Sequence, residues 1–213
     1  MIAPNPQVAH TVLLIIEFIG TFAFAISGIR MAAAKHFDWF GGFVCGFAVA
    51  IGGGTIRDVM LGVTPFWMTS SIYFTCTIIA LLVGILFSKK LSRMENAWLI
   101  TDTLGLAMFT IAGLQKTLQY GHPFWVAIVM GCITGVAGGV IRDVLLNQEP
   151  IIFQKDIYAM ASVAGGLIYW LLAALGINIG ITSIVTFFVI YLVRYVAVRY
   201  HISLPLLRGE NDE

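Results

Sequence analysis

Gly52-Gly53-Gly54-Thr55-Ile56-Arg57-Asp58-Val59 and Ala137-Gly138-Gly139-Val140-Ile141-Arg142-Asp143-Val144 spell one motif twice, 85 residues apart. Each copy sets consecutive glycines, the poorest helix formers after proline, inside an apolar run long enough to cross a membrane. An Arg-Asp dipeptide follows each tract. Ionisable residues at membrane depth are expensive to keep, so a chain with two such pairs has a use for them.

The surrounding composition sets the class. Of the 213 residues, 59% are hydrophobic and 11% charged, with a mean hydropathy of +0.93, which is the composition of an integral membrane protein. A net charge of +1 offers no basic field for nucleic acid, so nucleic acid is not an expected partner and membrane lipid is. Cys45, Cys76 and Cys132 lie scattered in apolar segments without paired spacing and read as packing residues. His10, His36, His122 and His201 sit at loops or ends with no metal-ligand spacing, so no metal or other cofactor is expected. No nucleophile-plus-base set, phosphate loop or catalytic carboxylate pair stands out, which argues against an enzyme.

Seven apolar runs emerge, over 11–34, 40–61, 68–88, 97–118, 123–146, 156–175 and 179–199. The first could pass for a signal peptide, but its leader lacks Lys and Arg, and the run has a counterpart in the second half, so it reads as a retained span. Trp39, Trp67, Trp98, Trp125 and Trp170 fall at segment ends, as interfacial anchors do. Setting runs one to three against four to six at the offset of 85 aligns Glu17 with Asp102, Gly20 with Gly105, Phe24 with Phe109, Pro65 with Pro150 and Tyr73 with Tyr158. The expected organisation is a leader (1–10), a three-helix repeat (11–88), a second copy (97–175), a seventh helix (179–200) and a polar tail (201–213).

Three is odd, so the second copy enters the membrane from the opposite side, giving an all-α inverted 3+3 repeat plus one helix. With the N-terminus outside and the C-terminus inside, the inner face receives Arg30, Lys35, Lys89, Lys90, Arg93, Arg142, Lys155, Arg194, Arg199 and Arg208, and the outer face only Arg57 and Lys116. Positive residues favour the cytoplasmic side, so this orientation is the expected one.

The glycine tracts, each followed by Arg-Asp and then Pro65 or Pro150, predict that helices two and five are broken at Gly52, Gly53, Gly54 and Gly138, Gly139. Backbone groups freed at such breaks, with the Thr55 hydroxyl, would line a wet cavity near the midplane, where ion and solute sites lie. Isolated glycines need only close packing to explain them, but packing does not ask for a charged pair next door. Adjacent helical residues diverge, so symmetry suggests cross-pairing between repeats, Arg57 to Asp143 and Arg142 to Asp58. Such pairs serve either as static ties or as charges whose release opens a path. Glu17 and Asp102 are expected to form a negative vestibule at each end, with Ser27, Thr21, Thr110 and Thr134 as further hydroxyls along the way.

The doubled Gly-Gly-x-Ile-Arg-Asp-Val motif, the three-plus-three-plus-one layout and the length resemble the prokaryotic branch of the TRIC family, trimeric intracellular cation channels. That resemblance covers nearly all of 8–200 and implies a homotrimer in the plasma (inner) membrane of a prokaryote. It implies a pore in each protomer, constricted at the glycine-rich helices, and conduction of monovalent cations, potassium foremost and sodium with it. Ala137 stands where the first copy has Gly52, which implies a milder second break. Animal members carry a lysine-bearing motif with phosphoinositide at this place; Arg stands here, so lipid gating does not carry over. The alternative is a secondary transporter of a small solute such as glycine, because inverted repeats with broken helices suit transport equally well.

Overall fold

The computed structural model describes residues 6–87, 97–153, 157–200 and 202. Among them run seven long helices and no strand: α1 (Pro6–Ala34), α2 (Trp39–Met60), α3 (Ile72–Leu86), α4 (Ala97–Gln119), α5 (Phe124–Leu145), α6 (Ala159–Ala174) and α7 (Ile179–Arg199). Short 3-10 turns, Phe66–Met68 and Ile151–Phe153, precede α3 and α6. Leader residues 1–5, Lys89, Lys90, Arg93, Lys155 and Arg208 of the expected inner face, His201 and the Trp98 side chain lie outside the described residues.

The spans differ in how much they need lipid. His10–Ala34, Trp39–Met60, Phe124–Leu145 and Ile179–Arg199 are long and apolar enough to cross a membrane, while Ile72–Leu86 and Ala159–Ala174 are shorter apolar helices. At 1.5 Å per residue these short ones reach only about 22–24 Å, and the 3-10 turns before them make up depth. Helix α4 carries Asp102, Gln115 and Lys116, yet packs against α1, α5, α6 and α7, so its polar residues face protein. Helices α1 and α4 form the centre and pack on each other; α7 packs on α6 and α4, both of the second triplet. The outward faces present Ile15, Phe40, Leu82, Trp125, Phe188 and Leu192.

The centre obeys the two-fold relation seen in the sequence. Phe24 and Phe109 stack with centroids 5.4 Å apart and planes at 16°. Helices α2 and α5 cross where Gly53 lies against the Thr134 carbonyl and Gly138 against the Val49 carbonyl, and Val49 and Thr134 are themselves offset partners. A Cβ on Gly53 would sit 2.0 Å from the Thr134 oxygen, and one on Gly138 2.6 Å from the Val49 oxygen. Glycine is required there by backbone contact.

This corrects the expected breaks: both α2 and α5 run unbroken through their glycine tracts. Glycine's helix cost of about 1 kcal/mol is smaller than that of stranding peptide groups where no water reaches them, several kcal/mol each. The helices instead end past the Arg-Asp pairs. Gly62 (φ +69°) and Asn147 (φ +51°), offset partners again, take the left-handed conformation, and Val63 and Gln148 donate back to the Asp58 and Asp143 carbonyls at 2.9 and 2.8 Å. Each is a Schellman-type stop.

Candidate functional site

The last turn of α2 places Arg57 and Asp58 beside α1, α3 and α4. Asp58 Oδ2 accepts the Phe66 backbone N–H at 2.7 Å, so this carboxylate caps the 3-10 turn that follows Pro65. Its Oδ1 accepts Arg57 Nε at 2.7 Å and pairs with Lys116 Nζ from α4 at 2.9 Å. Arg57 Nη2 donates to Glu17 Oε1 of α1 at 2.9 Å, and Glu17 Oε2 accepts the Tyr73 hydroxyl at 3.0 Å. The Phe66 ring lies 5.6 Å beneath the Arg57 guanidinium and meets Tyr73 edge-on at 4.5 Å. Glu17, Arg57, Asp58 and Tyr73 are all buried.

The second triplet repeats the plan at the other end of the bundle. Asp143 Oδ2 accepts the Ile151 backbone N–H at 3.0 Å, capping the turn after Pro150. Its Oδ1 takes Arg142 Nε at 2.9 Å, while Arg142 Nη1 donates to Asp102 Oδ1 and, at 2.9 Å, to Ser27 Oγ of α1. Tyr158 is buried beside Asp102, both reaching toward the bare backbone of Gly139, where a Cβ would lie 2.7 Å from the Tyr158 hydroxyl and 3.6 Å from Asp102 Oδ1. Gly54 likewise makes room for the Phe66 ring, and Gly52 for Ile141.

Burial explains the form of both clusters. A charge removed from water is tolerated only when paired and hydrogen-bonded, and a carboxylate has lone pairs to satisfy beyond its ion pair. Each Asp therefore serves one guanidinium and one backbone N–H, and each acid on the central helices serves the same guanidinium from the other side. The two Arg-Asp dipeptides are the points where the three helices of a triplet and its turn are tied together.

Several sequence expectations change here. The cross-pairing of Arg57 with Asp143 and of Arg142 with Asp58 is replaced by pairing inside each triplet, because the arginine stem lets Nε fold back onto the adjacent Asp while its terminal nitrogens reach across to Glu17 or Asp102. The links that do cross between triplets are Lys116 to Asp58 and Arg142 to Ser27. Glu17 and Asp102 do not line an open vestibule; both are buried in ion pairs. Thr55 donates to the Ile51 carbonyl at 2.7 Å and accepts Trp67 Nε1 at 3.0 Å, which holds the half-buried Trp67 against α2. Trp39 and Trp125 are exposed, as anchors are. Tyr73, Tyr158, Lys116 and Arg194 join the site in the structure without being among the residues expected there from the sequence. Tyr73 and Tyr158 form an aligned pair in the sequence, and Arg194 is a cation inside the seventh apolar run, ahead of Arg199 at its end, a signal in its own right.

Comparison with known proteins gives a consistent relationship. A family model described as Glycine transporter matches twice, over 14–89 and 99–174. A UPF0126 membrane protein of Vibrio cholerae is 38% identical over 199 residues, covering 92% of this chain and 82% of the relative. The UPF0126 inner membrane protein YadS of Escherichia coli is 34% identical over 193 residues, covering 89% and 93%. Among solved structures, one described under conductance through TRIC cation channels superposes with a TM-score of 0.81 at 32% identity, covering 92% of this chain and 97% of that one. The TRIC trimeric intracellular cation channel orthologue from Rhodobacter sphaeroides gives 0.85 at 29% identity, covering 90% and 100%.

Proposed function

The chain belongs to the prokaryotic TRIC-like family of membrane proteins, the one whose sequence model is described as Glycine transporter, and from that membership we propose that it is a passive cation channel. The full-length likeness to a TRIC cation channel, with a TM-score of 0.81 at 32% identity, carries this reading. The finer proposal is a homotrimer with a pore in each protomer, conducting monovalent cations, potassium and sodium, across the plasma (inner) membrane of a prokaryote. Its N-terminus is outside and its C-terminus cytoplasmic, as the Lys and Arg distribution favours.

The physical route differs from one built on broken helices, because α2 and α5 free no peptide groups at their glycines. Conduction passes between the two triplets, and the two ion-pair clusters, near opposite ends, are its closures. Closed, each guanidinium is neutralised and buried, so no free positive charge repels a cation. When a cluster parts, its two carboxylates leave the cations that held them and face water, and the mouth favours cations over anions. The glycine crossing keeps the triplets close enough for small changes of tilt to open or shut the passage.

The family description supports a second reading, secondary transport of glycine. Reconstitution decides between them. Unitary potassium currents in planar bilayers are the expected result; saturable glycine uptake into proteoliposomes without such currents overturns the channel and establishes the transporter.

A further inference from the structure

The two clusters share one plan and differ in what holds their tyrosines. Tyr73 is gripped edge-on by the Phe66 ring at 4.5 Å. At the offset position the second triplet has Ile151, which has no ring, and Tyr158 is instead covered by the Arg194 guanidinium, 4.6 Å from its ring centroid. Arg194 comes from α7, the one spanning helix with no counterpart in the duplication, and it is wholly buried. Its Nη1 also points to the Ile157 carbonyl at 3.5 Å, just ahead of α6.

Charge gives a second, independent reason for its presence. In the first cluster Glu17 and Asp58 face two cations, Arg57 and Lys116. In the second, Asp102 and Asp143 share Arg142. Arg194, stacked on the tyrosine beside Asp102, brings a further buried cation to that side of the cluster. Where the first cluster takes an aromatic clamp from its own turn and a cation from α4, the second has its tyrosine covered by a cation from α7.

We propose that Arg194 is a positioning residue: by clamping Tyr158 against Asp102 it keeps the second cluster shut, and it ties that cluster, not the first, to the placement of the seventh helix. A shift of α7 then loosens one end of the molecule alone. This rests on the clusters being closures between the triplets, but its test does not need conduction.

Two single-thiol proteins report the two ends. One keeps native Cys76, three residues past Tyr73, with Cys45 and Cys132 changed to Ala. The other carries Ser27→Cys beside Arg142, with all three native cysteines changed to Ala. In proteoliposomes, Arg194→Gln speeds modification of the thiol at position 27 by a small membrane-impermeant thiosulfonate about tenfold, the factor matching loss of a desolvated cation–π contact, and leaves the Cys76 rate unchanged. Arg194→Met, which keeps bulk without charge, is as fast; Arg194→Lys, which keeps a cation over the ring, is slow again. Tyr158→Leu, which removes the ring and leaves Arg194, gives the same increase and serves if the Arg194 variants fold poorly. Equal rates in Arg194→Gln or Tyr158→Leu and the unsubstituted protein, a parallel rise at Cys76, or a slow Arg194→Met overturn the clamp. Absence of unitary currents in the unsubstituted protein overturns the channel and leaves the clamp to stand on the thiol rates.

Discussion

Glu17 and Arg57 meet across two helices in a place without water, and that fixes what their removal costs. Changing Arg57 to Gln leaves Glu17 with uncompensated charge and Asp58 with Lys116 as its cation, a loss of about 3–5 kcal/mol for a broken buried pair. Arg57→Gln combined with Glu17→Gln removes both signs, so the double variant is milder than the sum of the singles, read from SDS-unfolding midpoints of the reconstituted protein. The same cycle on Arg57 and Asp143 is additive within about 0.5 kcal/mol, since they share no contact. An Arg57–Asp143 coupling as large as that of Arg57 with Glu17 would show the pairing inside each triplet to be wrong. The residue types at this site and their offset were legible in the sequence. Their pairing was not, for a definite reason: pairing within triplets and pairing across them obey the same two-fold symmetry, so symmetry cannot choose. Side-chain reach between helices 40 positions apart chooses, and it appears only once α1 lies against α2.

At the scale of the helix, the glycines act through what they leave out. Gly53→Ala and Gly138→Ala each push a methyl onto a carbonyl of the facing helix, where backbone and not a flexible side chain must give way. Each loses about 1–3 kcal/mol or more in the same unfolding measurement. Gly42→Ala is the control: its Cβ would meet only Leu81 Cδ1, at 3.9 Å, and the better helix former leaves stability unchanged or raises it by up to about 1 kcal/mol. A Gly53→Ala protein as stable as Gly42→Ala would remove the basis for the tight crossing. Gly62, at φ +69°, has open space for a side chain and is constrained by conformation alone, so Gly62→Asn costs less than Gly62→Ala. Asn147 already fills the equivalent place. Helix positions were legible because run length and polar punctuation report them directly. Whether a glycine tract breaks a helix was not, because helix propensity is a property of chains in water. Here the facing backbone, against which Gly53 and Gly138 pack, decides for the intact helix.

For the whole molecule, the duplication makes a quantitative demand: matched positions on the axis must respond alike. Phe24 and Phe109 stack on each other there, Phe24 seated over Gly105 and Phe109 over Gly20. Truncating either to Ala empties a comparable volume and loses about 3–5 kcal/mol, and because the two rings share one contact the double variant loses less than the sum. The seven runs, their duplication and the leftover seventh helix were legible as a pattern of offsets. That α7 sides with the second triplet was not, since nothing in the alignment of the copies refers to it. Its attachment makes the axis only approximate, and responses must diverge toward the ends, where Lys116 serves one cluster and Arg194 the other. Function adds a second demand on the same two rings. On the proposed route between the triplets, Phe24→Ala and Phe109→Ala each widen its middle and raise unitary potassium conductance by similar factors, measured in planar bilayers under symmetrical salt. Loss of stability with conductance unchanged in both would move the passage off the axis, and conductance raised by only one would mean that ions follow a single triplet and not the seam between two.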